Sequence, residues 1–355
     1  MKREIKFSLV FRDMWQSAGK YVPTVDQLTR VAPAIIEMGC FARVETNGGG
    51  FEQVNLLFGE NPNKAVREWT KPFHAAGIQT HMLDRALNGL RMSPVPDDVR
   101  QLFYKVKKAQ GTDIARTFCG LNDVRNIAPS IKYAKEAGMI SQCSLCITHS
   151  PVHTVEYYTK MAFELIELGA DEICIKDMAG IMGPKEAYDL VSAIKDAAPE
   201  LPIDLHTHST TGLAFMTYLK AVEAGVDIID TAISPFSGGT SQPATETLAY
   251  ALRQLGYEVD LDDKCTKKIA DYFKVVRDDY IKDGTLMPKS MATDTQCLTY
   301  QIPGGMLSNL LSQLKQVNAL DRFDEVLVET PKVRKDMGYP CLLYTSPSPR
   351  DPKTS

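Results

Sequence analysis

One signal recurs along the chain and leaves few folds open to it. A stretch with helical spacing ends in a small or acidic residue followed by glycine, and an apolar run begins at once. The pattern stands at Glu37-Met38-Gly39, Ala75-Ala76-Gly77, Ala109-Gln110-Gly111, Glu136-Ala137-Gly138, Glu167-Leu168-Gly169 and Glu223-Ala224-Gly225. Glycine after a helix supplies the left-handed residue that stops it. The runs that follow, Phe41–Glu45, Ile78–Leu83, Asp113–Phe118, Ser141–Thr148, Asp171–Lys176 and Asp227–Thr231, are strand-like. Glu4–Phe11 opens the chain in the same manner, and Pro202–His208 follows a helix that ends without glycine. Between them lie stretches with apolar residues three and four apart, such as Met161, Leu165 and Leu168. Eight strands alternating with helices over about 250 residues predict a (β/α)₈ TIM barrel, an α/β fold. The competing architecture, an open doubly wound sheet, usually has fewer units and a glycine-rich phosphate turn after its first strand.

The rhythm covers residues 1–255. Beyond it, Asp262–Asp283 and Gly304–Ala319 read as helices, so 256–340 is expected to be a helical extension covering the barrel mouth. Residues 341–355 are rich in Ser, Pro, Arg and Lys and lack periodicity, which predicts a disordered tail. The 355 residues are 44% hydrophobic and 24% charged, the balance of a folded chain. A net charge of −4 without any basic block argues against a nucleic-acid partner. No apolar run approaches the ~20 residues a membrane helix needs. The start of the chain does not resemble a signal peptide, and several of the eight cysteines sit in strand-like runs as buried free thiols do. Cys143-x-x-Cys146 has no second pair at zinc-site spacing. These features predict a reduced, cytoplasmic protein.

In such barrels the chemistry stands where strands end and loops begin. Strand one ends in Arg12-Asp13, followed by Gln16. Strand three ends near Arg85, with Asn88 just beyond. Strand six ends in Lys176-Asp177, and strand seven in His206-Thr207-His208. Residues two apart on a strand point the same way, so both imidazoles can face one spot. With only six histidines in the chain, this pair reads as a site for zinc, manganese or cobalt, and Asp13 can add an anionic oxygen. The plainer reading has them satisfied by hydrogen bonds in the loop layer. Lys176 is costly to bury charged. It is either paired with an acid such as Asp177, or serves as a Schiff base, a general base, or a carbamate that would turn it into an anionic metal ligand. Arg12 and Arg85 are two forks at one face with few acids beside them, suited to carboxylates of small keto-acids. Either one alone is equally compatible with a surface ion pair. His149 and His153 read as loop or helix-start residues, His74 and His81 as structural.

Together these segments resemble the biotin-dependent carboxyltransferases, a family that includes the oxaloacetate decarboxylase alpha subunit, the carboxyltransferase part of pyruvate carboxylase and the transcarboxylase large subunit. Phe11-Arg12-Asp13-x-x-Gln16-Ser17 is similar to the family's first motif and Leu83-x-Arg85-x-x-Asn88 to its second. Lys176-Asp177-Met178-Ala179-Gly180 resembles the third, and His206-Thr207-His208-x-Thr210-x-Gly212 the fourth. Gly238-Gly239-Thr240-Ser241-Gln242-Pro243 and Pro303-Gly304-Gly305-Met306 resemble two later ones. The resemblance implies a divalent metal held by Asp13, a carbamylated Lys176, His206 and His208. It implies a keto-acid held by Arg12, Gln16 and Arg85, with Lys176, Arg12 and Asp13 as catalytic residues. The implied reaction moves a carboxyl group between oxaloacetate or pyruvate and biotin. No Met-Lys-Met tripeptide is present to carry biotin, so a carrier is expected on another domain or subunit. The implied partners are that carrier, a biotin carboxylase or membrane decarboxylase subunits, and a second copy in a homodimer.

Two departures qualify the expectation. Trp15 stands where the family usually has His. After Pro340 the family pattern breaks, and Tyr344 falls where a proton-shuttling Thr is expected, with Thr345 beside it. Residues 341–355 therefore read as not native to the chain. Two other functions share part of the pattern. One is a barrel lyase or synthase making Claisen or aldol bonds with acyl-CoA, which needs the histidines but not Lys176. The other is a non-catalytic assembly subunit.

Overall fold

The computed structural model describes residues 2–18, 24–57, 59–91, 93–284, 286, 288–303, 306, 310 and 313–341. Eight parallel strands close into a barrel in chain order. β1 (Lys6–Leu9) leads into α1 (Phe11–Ala18) and α2 (Val25–Glu37). β2 (Phe41–Gly48) leads into α3 (Gly49–Leu57) and α4 (Pro62–Ala75). Four simple units follow: β3 (Gln79–Asp84) with α5 (Asp97–Ala109), β4 (Ile114–Thr117) with α6 (Val124–Glu136), β5 (Ile140–Cys146) with α7 (Val155–Glu167), and β6 (Glu172–Asp177) with α8 (Pro184–Ala197). β7 (Ile203–Thr207) with α9 (Ala214–Ala224) and β8 (Ile228–Thr231) with α10 (Thr245–Gln254) complete the ring.

The elements arise where the sequence signals put them. The glycine closing each of the six recurring stops has a positive φ, the conformation that ends the preceding helix. At the other end, Thr154 accepts a hydrogen bond from the Tyr157 amide to start α7, and Asp123 does the same from Arg125 for α6. Two expectations shift. The first strand stops at Leu9, because Phe11 already opens a helix. In α7, Met161 and Leu165 are buried, but Leu168 caps the helix end and is 47% exposed.

The apolar core lies between strands and helices. The barrel interior is polar instead. Arg43 holds Glu172 through two 2.6 Å contacts, Arg116 holds Asp204 at 2.6 Å and also binds Asp230, and Gln142 reaches both Glu172 and Asp204. All are buried.

Past the barrel, α11 (Asp263–Lys282) is the first helix expected there, capped by Asp262. Its Phe273 joins Phe11, Trp15 and Phe236 in an aromatic cluster with ring centroids 4.2–6.1 Å apart. Trp15 is thereby sealed into packing between barrel and extension. The chain then crosses the C-terminal ends of the strands. The Ser290 carbonyl accepts from the Thr240 amide after β8, and the Asp294 amide donates to the Thr210 carbonyl after β7. Cys297 lies against the Ala179 carbonyl after β6. Gln301 accepts from the Thr148 hydroxyl at 2.8 Å and the His149 amide at 2.9 Å after β5. Of the second expected helix, 304–319, the described residues 306, 310 and 313–316 are helical. A further helix, Phe323–Asp336, was not anticipated, and its Arg334 hydrogen-bonds Thr148. The tail 342–355, with Tyr344 and Thr345, and the pair Gly304-Gly305 lie outside the described residues. Among the described residues, no helix is long and apolar enough to cross a membrane.

Candidate active site

At the C-terminal ends of β1 and β7 three ligand-type atoms converge. His206 Nε2 and His208 Nε2 are 3.1 Å apart, and Asp13 Oδ2 lies 3.2 and 3.3 Å from them. All three residues are buried, and this is the one such cluster found among the described residues. The partners behind each ring fix what its front presents. His206 Nδ1 lies 2.7 Å from a carboxylate oxygen of Asp230, and His208 Nδ1 lies 2.6 Å from the Thr240 carbonyl oxygen. Both partners accept, so each Nδ1 carries the hydrogen and each Nε2 is left with a lone pair. Two lone pairs and a carboxylate oxygen therefore face one another, and a divalent cation satisfies such a triangle. Zinc bound at about 2.0–2.1 Å by imidazole and carboxylate spans separations of this size.

The electrostatics agree. Burial opposes the Asp13 carboxylate, but Arg12 and the two imidazoles outweigh it and hold its pKa well below the usual range. Burial and the nearby Lys176 charge lower His206, keeping it a neutral ligand base. The amide of Gln242 donates to Asp13 Oδ2 at 2.7 Å and packs against both Nε2 atoms.

Lys176 is the neighbour of His206 in the β6–β7 register, so both side chains project to the same side of the sheet. It is 2% exposed and makes no hydrogen bond or ion pair among the described residues. The expected alternative, pairing with Asp177, fails on strand geometry, since adjacent residues point to opposite faces. Asp177 instead accepts from the amides of Ile181 and Met182 and from the Thr207 hydroxyl. It ties the loop after β6 to β7. Gly180 in that loop has a φ of 68° and lies on the His208 carbonyl, where a Cβ would overlap the oxygen.

The two arginines differ, which corrects the expectation that few acids stand beside them. Arg12 has Glu45 at 2.6 Å, Asp13 at 3.1 Å and the side-chain amide oxygen of Gln16, Oε1, at 2.6 Å. Burial opposes its charge, but Glu45 and Asp13 prevail and raise its pKa. Glu45 also accepts from the Asp13 amide at 3.1 Å and so fixes the start of α1. Arg85 has no carboxylate partner among the described residues. It donates to the carbonyls of Leu90 and Arg91, and burial together with the Arg12 charge lowers its pKa. Its guanidinium is thus the one of the two with charge to offer an incoming carboxylate. Arg85 and Asn88 line a cavity of about 190 Å³ shared with Phe118, Cys119 and Asn126. None of the metal-type ligands lines it. Gly49 makes room beside Arg85, since a Cβ there would lie 3.0 Å from the guanidinium and 2.8 Å from the Leu90 carbonyl oxygen.

The structure thus gathers Asp13, His206 and His208, with Lys176 in register beside them and Arg12 and Gln16 adjoining. Arg85 faces a neighbouring cavity. Sequence reasoning missed Glu45, Asp230 and the contacts of Gln242. The one available signal was an acid inside an apolar strand run. The other histidines stay outside the site. His149 pairs with Glu186, His153 with Ser150, His74 with Asp113 and His81 with Ser8.

Residues 120–273 match the HMGL-like family, and 297–343 match the conserved carboxylase domain. A pyruvate carboxylase subunit of Methanocaldococcus jannaschii is 44% identical over 333 residues, covering 94% of this chain and 58% of the relative. The methylmalonyl-CoA carboxyltransferase 5S subunit of Propionibacterium freudenreichii is 39% identical, covering 95% of this chain and 66% of that protein. The carboxyl transferase domain of Rhizobium etli pyruvate carboxylase, solved with pyruvate, superposes with a TM-score of 0.89 at 28% identity. That match covers 97% of this chain and 59% of that one. This chain therefore spans about three-fifths of the length of these three relatives. With both family matches falling on the barrel and its extension, and with the strand-end residues in place, the chain belongs to the biotin-dependent carboxyltransferase family.

Proposed function

We propose that this chain carries out the carboxyltransferase half-reaction between oxaloacetate or pyruvate and biotin borne by a separate carrier. The observation that carries the reading is the buried triangle of Asp13, His206 and His208, with an unpaired Lys176 in register beside it. In this reading Asp13, His206 and His208 hold a divalent zinc, manganese or cobalt ion. Lys176 would join them once its ammonium has lost one proton and the resulting amine has formed an N–C bond with carbon dioxide and released a second, so that a cation becomes an anionic ligand. The ion supplies Lewis acidity that stabilises negative charge on a ketone oxygen.

The chain's own residues do the rest. Arg85, which has no carboxylate partner among the described residues, receives the substrate carboxylate. Arg12, held in place by Glu45 and Gln16, keeps positive charge beside the ligand triangle, where an enolate gains stabilisation. In the decarboxylating direction the C–C bond to the departing carboxyl group breaks, its electron pair stays on pyruvate enolate, the carboxyl group passes to N1 of biotin, and the proton that N1 gives up ends on the enolate carbon to yield pyruvate. The extension over the strand ends keeps water from the enolate. The loop contacts of Ser290, Asp294 and Gln301 support assigning 1–255 to the catalytic barrel and 256–340 to its cover. A biotin carrier, a biotin carboxylase or membrane decarboxylase subunits, and a second copy of the chain complete the proposed assembly in the cytoplasm.

The test is oxaloacetate decarboxylation by the metal-loaded protein with and without free biotin. A biotin-stimulated rate that disappears in His208→Ala is expected. A metal-loaded protein that neither binds pyruvate nor responds to biotin would overturn the reading.

A further inference from the structure

We propose that Asp230 is a positioning residue for the metal site, its carboxylate aimed at His206 by Arg116. The inference rests on the metal reading above. Asp230 stands on β8, and its Oδ2 receives His206 Nδ1 at 2.7 Å. The same oxygen receives Arg116, whose second nitrogen reaches Asp230 Oδ1 at 3.3 Å and Asp204 Oδ2 at 2.6 Å. From Asp204 the contacts continue through Gln142 to Glu172 and Arg43. The network is entirely buried. A buried ionic network is a poor device for stability, since packed apolar side chains of similar volume do as well or better. Within it, the direct grip of Arg116 is what fixes one acceptor in one direction. Arg116 grips both oxygens of Asp230, so the carboxylate cannot rotate away from His206. An acceptor fixed behind Nδ1 keeps the hydrogen there and aims the Nε2 lone pair at Asp13 and His208. Partners of this kind behind a ligating histidine typically change metal affinity by about 10- to 100-fold.

The network contains its own control. Asp204 accepts from the same Arg116 and is equally buried, but it does not touch His206. Asp230→Asn and Asp204→Asn are therefore compared in the full chain by thermal melting, by Co²⁺ affinity in chelator competition and by the visible absorption of bound Co²⁺. Asp230→Asn is expected to lose about 10- to 100-fold in Co²⁺ affinity and to shift the Co²⁺ bands. Asp204→Asn is expected to lower the melting temperature while leaving affinity and bands unchanged. Unchanged affinity in Asp230→Asn, or equal losses in both variants, would overturn the proposal. Should Asp230→Asn fail to fold, histidine ¹⁵N shifts of the wild type decide: His206 protonated at Nδ1 supports the assignment, and protonated at Nε2 refutes it. A wild type that takes up no Co²⁺ would overturn the metal reading, and this inference with it.

Discussion

Two histidines at the same end of the barrel each hold a carboxylate at hydrogen-bond distance, yet the protein uses them differently. His206, at the ligand triangle, is fully buried 2.7 Å from Asp230. His149, on the loop under the extension, is partly exposed 2.9 Å from Glu186. Burial and the Lys176 charge lower the pKa of His206. The hydrogen bond to Glu186 raises that of His149, against partial burial. Depth of burial and the neighbouring charge explain the difference, since each acid by itself favours the imidazolium. Asp230 is engaged by Arg116 and orients His206. Glu186 receives a weak backbone contact from Gly183 besides His149, so its charge favours the imidazolium. A histidine–carboxylate pair thus stays a neutral base or becomes an ion pair according to how deeply it is buried and which charge stands beside it.

The same contrast separates the two regions energetically. The ligand side is built for charge placement, the extension side for attachment. Lys176→Ala probes the first and should have the largest effect. Losing an outer partner typically costs about 10- to 100-fold in metal affinity or activity, and losing a ligand should exceed that. Metal retained on dialysis and the biotin-stimulated decarboxylation rate measure it. Near-normal values would return the site to the acyl-CoA lyase reading, which does not need Lys176.

Gln301→Ala probes the attachment side. It removes two acceptor contacts and the 3.2 Å donation to the His149 carbonyl. The stranded groups should cost about 1–3 kcal/mol of stability by urea unfolding, with metal affinity unchanged. A loss of metal in this variant would show that the two regions are coupled, against the contrast drawn here.

The smallest effect concerns pH. Because the folded pKa of His149 is raised, its pairing with Glu186 stabilises the protein fully below the unfolded value of about 6.5 and is lost as pH rises through the folded value. The melting difference between wild type and Glu186→Gln should therefore shrink between about pH 6 and pH 8. A difference that grows over that range would reverse the assignment for His149.

Legibility in the sequence followed the range of the interactions. The repeating stops and the placing of Asp13, His206 and His208 at strand ends could be read directly. The helix Phe323–Asp336 could not, because it buries almost nothing on one face. Val328 and Val333 are exposed, and Pro331 lies within it. The crowding of Arg12 was also hidden, since Glu45 lies 33 residues away on the next strand.

By itself the sequence determined the barrel and the ligand types, because helix stops and strand alternation act over a few residues and a closed ring of eight units is one of few ways to bury the strands that result. Which nitrogen of each imidazole faces the site, which arginine lacks a carboxylate partner among the described residues and which acid stands behind His206 were decided by the tertiary structure. Those features depend on the pairs His206–Asp230, His208–Thr240 and Gln242–Asp13, separated by 24, 32 and 229 residues, and only closure of the barrel brings them within hydrogen-bond distance.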